Sequence, residues 1–131
     1  MEQVRERDVA RLSLTLGGDA RAPGRARAEL DAYAAELLPP GRLSDASLLV
    51  TELVTNGVLH GEGDVRLRMD ASGDALRVEV VDEGHGFRSV RRAPDRDGGW
   101  GLGIVESLAD RWGVFAGSTH VWFEIDRSIS G

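Results

Sequence analysis

A single α/β domain is predicted for this chain, and three observations predict it. Period-two runs of apolar residues recur near 11–16, 64–82, 112–116 and 120–125. Interleaved with them, the stretches 23–38, 44–60 and 102–111 carry apolar residues at helical spacing. A length of 131 residues is enough for one core that buries about two thirds of the unfolded surface without a metal or disulfide staple.

The first strand is Arg11 to Leu16, where Leu12, Leu14 and Leu16 alternate with Arg11, Ser13 and Thr15, and Gly17-Gly18-Asp19 ends it. Helix one runs from Pro23 to Leu38 on Ala26, Leu30, Tyr33, Ala34 and Leu37, with Pro23 in its first turn and Pro39-Pro40-Gly41 closing it. Helix two is expected from an N-cap at Ser44 to about His60, with Leu48, Leu49, Leu53 and Val54 as its apolar stripe and Gly61 as terminator. Val65, Leu67 and Met69, a turn through Gly73, then Leu76, Val78 and Val80 predict a hairpin over 64–82, each strand with one wet face. Glu83 to Asp97 has the composition of a mobile loop, expected to act as a lid. Leu102 to Arg111 is the third helix, with Val105, Leu108 and Ala109 inward, and Trp112 to Ala116 and His120 to Ile125 finish the sheet. No internal repeat or linker divides residues 1–131.

Composition narrows the chemistry. With no cysteine there is no thiolate nucleophile, disulfide framework or sulfur-ligated metal. All sixteen basic residues are arginine, so a Walker-type phosphate loop, a bilobal protein kinase and Schiff-base chemistry all lack their lysine. A net charge of −6 argues against direct nucleic-acid binding. The basic cluster Arg88, Arg91, Arg92 and Arg96 reads first as a solvated loop, with contact to a polyphosphate or an acidic partner as the alternative. Short apolar stretches and a charged Met1 to Arg11 lead to an expectation of no membrane span, no secretory signal and a cytoplasmic location.

Glu52, Asn56 and His60 recur every four residues and so share one side of helix two. Asn56 offers a neutral carbonyl oxygen of the kind magnesium accepts beside phosphate and water, and Glu52 is placed to polarise a hydroxyl; a solvated helix face is the plain alternative. His60 reads as a dipole partner or packing group rather than a catalyst. In the next motif, Asp82-Glu83-Gly84-His85-Gly86, strand alternation aims Asp82 at the packed face, where its carboxylate requires donors. An adenine amino group suits it, with Gly84 and Gly86 clearing the approach; an Asx-type turn is the alternative. Gly101 and Gly103 stand where a loop becomes helix three, and free amides there could receive phosphate without lysine, or the glycines could only relieve a tight turn. Trp100 could pack on the base, the favoured reading, or cap the core.

Singly weak, the three signals in this order are jointly specific to a nucleotide site. Glu52 to His60 resembles the N box, Asp82 to Gly86 the first glycine box and Gly99 to Val105 the second glycine box of the GHKL ATPase superfamily. Thr-Glu-Leu-Val-Thr-Asn-Gly-Val-Leu-His-Gly and the later Leu108-Ala109-Asp110-Arg111-Trp112-Gly113-Val114 are similar to its anti-sigma factor serine kinase branch. Over about residues 10–126 the resemblance implies the histidine kinase-like ATPase fold: a two-layer α/β sandwich whose mixed, mostly antiparallel sheet is covered on one face by helices.

By position the resemblance implies that ATP and Mg2+ are bound, with Asp82 on the adenine, Asn56 on the metal, Glu52 as the catalytic base, and Gly84, Gly86, Gly101, Leu102 and Gly103 lending backbone to the ligand. It further implies a serine/threonine protein kinase that binds a sigma factor, phosphorylates a STAS-domain antagonist and forms a homodimer. A non-catalytic ATP/Mg-gated adaptor is the alternative, and a sensor histidine kinase is not expected. Gly57 replaces the branch's frequent alanine, loosening the helix by about 1 kcal/mol. Gly117 to Trp122 is one residue longer than the branch's usual pattern, which leaves the role of Thr119 open.

Overall fold

The computed structural model describes residues 11–60, 63–71, 73–82, 102–114 and 120–127, with His60, Asp82 and Leu102 described by their backbone. Its elements are β1 (Arg11–Leu16), α1 (Ala22–Ala34), α2 (Pro40–His60), β2 (Val65–Asp70), β3 (Ala75–Asp82), α3 (Leu102–Leu108), β4 (Arg111–Val114) and β5 (Val121–Asp126). The strands form one sheet in the order β1-β2-β3-β5-β4. Every described pairing is antiparallel, so the expected mixed sheet has no parallel pair among the described strands.

Alternation decides the two faces. Leu16, Val65, Leu67, Met69, Leu76, Val78, Val80, Phe123 and Ile125 are buried on one of them. Against these pack Ala26, Leu30 and Ala34 of α1, Leu49, Val50, Leu53 and Val54 of α2, and Val105 of α3. Each fully buried Leu, Val or Phe contributes about 1.5–3 kcal/mol, so the sandwich is held by this single layer. The opposite face carries a row of alternating charge, Arg11, Asp70, Arg77, Glu124 and Arg111, set opposite one another by the register.

Several boundaries differ from expectation for local reasons. Pro39 and Pro40 do more than close α1. The Pro39 carbonyl accepts the Leu43 amide at 2.8 Å, so α2 begins at Pro40, a proline in the first helical position where no donor is lost. Ser44 therefore lies inside α2 and is not its N-cap. α1 in turn stops at Ala34 rather than Leu38, where the chain tightens into a three-residue bond from the Leu37 amide to the Ala34 carbonyl. Leu37 and Leu38 still donate back to the Ala34 carbonyl, and Leu38 stays buried. Leu48, expected in the apolar stripe, is 44% exposed, while Ala46 and Val50 take its place inside. α3 ends at Leu108 rather than Arg111 because the Asp110 amide donates to Glu124 of β5, which begins strand pairing. The end of the strand expected to reach Ala116 and the terminator Gly61 lie outside the described residues. No described helix is long and apolar enough to cross a membrane.

Candidate functional site

α2 is the longest helix, and its circumference sorts its neighbours. At 3.6 residues per turn, each residue turns about 100°, so Ala46, Leu49, Val50, Leu53 and Val54 form the arc toward the sheet. Thr51 lies on one shoulder, where the Arg27 guanidinium of α1 donates to its hydroxyl at 3.2 Å. Asp45, Glu52 and Asn56 lie on the other shoulder, within about 40° of one another, and Arg42 stands between them and the middle of the arc toward the sheet. This is the α3 side: Arg42 donates to the Leu108 carbonyl at 3.3 Å and to the Asp110 carboxylate at 2.8 Å. Glu52 and Asn56, both half-buried, therefore face the side on which the chain leading out of the glycine run is docked.

Asp82 ends β3, and its backbone pairs with Val65, which is fully buried. Residues directly opposite in an antiparallel pair share a face, so Asp82 occupies a register position of the helix-covered layer. Only residues 61–64 separate His60 from Val65, a span of at most about 17 Å. The fold thus brings the end of β3 to the same end of the domain as the C-terminal half of α2, where Asn56 lies. Gly103 is exposed in the first turn of α3, and an added Cβ there meets no described atom within 4 Å.

The remaining site calls fall elsewhere. Gly84, Gly86, Trp100, Gly101, Thr119, the arginine cluster and the lid lie outside the described residues, as do the side chains of Asp82, Leu102 and His60. Among the described residues no group of three or more His, Asp or Glu could hold a metal ion. A depression of about 350 Å³ lined by Arg11, Ser13, Arg68, Asp70, Arg77 and Glu79 lies on the open face, across the sheet from Glu52 and Asn56.

Sequence reasoning missed the polar links that hold these parts. Arg42 also pairs with Asp45 at 2.8 Å, one turn along the same helix, a spacing that the sequence does contain. Asp110 further accepts the Asp126 amide at 2.8 Å, and that hydrogen bond, with Arg42 beside it, holds its carboxyl below the usual aspartate range despite partial burial. On the open face, burial pushes Glu79 upward, but hydrogen bonds from Arg77 and at His120 outweigh it and leave the group low. Arg111 and Arg77 do the same for Glu124. Trp122 lies over Gly113, with the Arg77 guanidinium 4.2 Å from the centre of its ring.

The sequence model of the histidine kinase-like ATPase domain family matches residues 18–125, from just before α1 to the last residues of β5. An anti-sigma F factor of Thermoanaerobacter sp. (strain X514) is 34% identical over 73 residues, which cover 52% of this chain and 51% of that protein. One from Clostridium acetobutylicum is 31% identical over 99 residues, covering 65% of this chain and 69% of that one. The chain thus spans about half the length of the first relative and just over two thirds of the second. A crystal structure of the RsbU and RsbW domains of Rv1364c from Mycobacterium tuberculosis superposes with a TM-score of 0.66 at 21% identity, over 88% of this chain and 31% of that one, a likeness of fold.

Proposed function

The chain belongs to the histidine kinase-like ATPase domain family, in its anti-sigma factor kinase-like branch, and on that premise we propose that it is an ATP-dependent serine kinase acting as an anti-sigma switch. Its partners in this reading are a sigma factor, which it binds, and a STAS-domain antagonist, which it phosphorylates on serine. The observation that carries the reading is the shared shoulder of α2: Glu52 and Asn56 stand on the side where Arg42 tethers α3.

The residues present fit ATP and magnesium. A half-buried carboxamide at Asn56 retains solvent on one side, as a magnesium ligand shared with water and phosphate oxygens requires. Magnesium of this kind needs one or two protein ligands, so a cage of acidic residues is not called for. Bound ATP with its metal supplies the electrophilic γ-phosphorus and a leaving ADP. Asn56 would hold the metal through its amide oxygen, and Asp82 would accept from the adenine amino group. The backbone of Gly84, Gly86, Gly101, Leu102 and Gly103 would line the ligand. Glu52 would orient the substrate hydroxyl, polarise it and take up its proton.

The test is titration of the purified chain with ATP and magnesium, followed by incubation with labelled ATP and candidate STAS proteins. Binding with transfer of label to one antagonist serine, abolished in Glu52→Ala, is the expected result. Absence of nucleotide binding overturns the reading. Binding without labelling of any cognate antagonist, together with slow hydrolysis unchanged in Glu52→Ala, would make the chain a nucleotide-gated adaptor instead.

A further inference from the structure

Arg42 lies at the start of α2, four turns from Asn56, yet joins four parts of the fold. Its guanidinium is 24% exposed and reaches Asp45 on its own helix, the Leu108 carbonyl in the last turn of α3, and Asp110 in the turn that follows. The same Asp110 oxygen accepts the Asp126 amide at the end of β5, and the Asp110 amide donates to Glu124. An arginine fork is suited to such a node because its donors are fixed in one plane and always charged.

α3 needs an external anchor. It has seven residues, of which Val105 is fully buried while Ile104 and Leu108, with Ala109 just beyond, pack only partly on the core. So short a helix has little stability of its own, and its position follows from what grips it. The Leu108 carbonyl is one of the groups a helix end leaves without an internal partner, and Arg42 satisfies it from the neighbouring helix. Gly103 lies in the first turn of α3, whereas Glu52 and Asn56 ride on α2.

We propose that Arg42, through Asp110, is a positioning residue that sets α3 against α2, and so fixes the separation between Asn56, which would hold the metal, and Gly103 in the first turn of α3, which would border the phosphates. The inference rests on the ATP reading above. It assigns Arg42 no contact with nucleotide. Because the adenine end depends on Asp82 at the edge of β3, which this tether does not touch, loss of the tether is felt by the triphosphate and its metal and not by the base.

That selectivity is the test. Affinities for ATP with magnesium and for adenosine are measured by calorimetry on the wild-type chain, Arg42→Ala and Asp110→Asn. The second variant keeps an oxygen for the Asp126 amide and loses only the charge, so it serves if Arg42→Ala does not fold. Expected is a loss of about tenfold for ATP, as for other supporting groups around a metal site, with adenosine changed by less than about twofold. In the nucleotide-free protein the amides of Ala109 and Asp110, bonded to Val105 and Glu124, should exchange faster in both variants while those of α1 hold. Unchanged ATP affinity, or adenosine weakened as much as ATP, overturns the assignment and leaves Arg42 a stabilising residue only. A wild-type chain that binds neither ligand sinks the function itself, and this inference with it.

Discussion

Gly103→Ala separates a ligand-facing glycine from a structural one. Gly103 is exposed in the first turn of α3, it is not among the described glycines with positive φ, and an added methyl meets no described atom within 4 Å. Alanine is therefore free of steric cost in the unliganded protein and restricts the unfolded chain. The full helix-interior preference of alanine over glycine is about 1 kcal/mol, and about half of it is a fair share for a first-turn position. The corresponding rise in Tm is roughly 2 °C for a domain of this size. If nucleotide lies against this backbone, the same methyl displaces it, with an overpacking cost of about 1–3 kcal/mol. That is about 5- to 150-fold in Kd. Thermal melting and calorimetric titration with ATP and magnesium thus move in opposite directions: a more stable protein that binds less. A variant that gains stability and binds ATP as before would refute the role assigned to Gly103, and one that loses stability would refute the open space around it.

Gly113→Ala tests a different contact. Its Cβ would stand 2.7–2.9 Å from the Trp122 indole, so the ring must shift from beneath Arg77. The expected cost is about 1–3 kcal/mol, read by denaturant unfolding and by a change in tryptophan emission. Asp82→Asn should weaken ATP and adenosine together by about 1–3 kcal/mol, since both present the adenine amino group, and equal affinities in the variant would remove Asp82 from the site. Glu79, Asp110 and Glu124 are all held below their ordinary values, so the folded state binds fewer protons than the unfolded one. Their contribution is full above about pH 4.3 and is lost as pH falls through the lower folded values. Glu124→Gln should accordingly cost about 1 kcal/mol at pH 7 and progressively less as the pH falls below the ordinary glutamate range, by urea unfolding across that series. A deficit that persists in acid would mean packing rather than charge.

Strand β1 and the hairpin were legible because alternation over six to eight residues leaves one register that turns the alternating apolar side chains toward the helices. Helix ends were less so. Whether Pro40 ends one helix or starts the next depends on which carbonyl receives the Leu43 amide, and Leu48 and Val50 are equally apolar, so only the packed partner decides which turns inward. The candidate site divides in the same way. The spacing of Glu52 and Asn56 puts them on one side of a helix whatever surrounds it. Which element comes to that side is settled by Arg42, Leu108 and Asp110, whose separations in the chain exceed sixty residues.

From its residues alone this chain determined its class, its strands and the spacing that sets Glu52 and Asn56 on one side of a helix, because those follow from local periodicity. The tertiary structure alone decided that β5 lies between β3 and β4, that Asp82 pairs with a buried valine, and that the end of α3 is pinned to Arg42 of α2. Those contacts are non-local: their free energy depends on surfaces that meet only after the chain has closed on itself, and no window of sequence contains both partners.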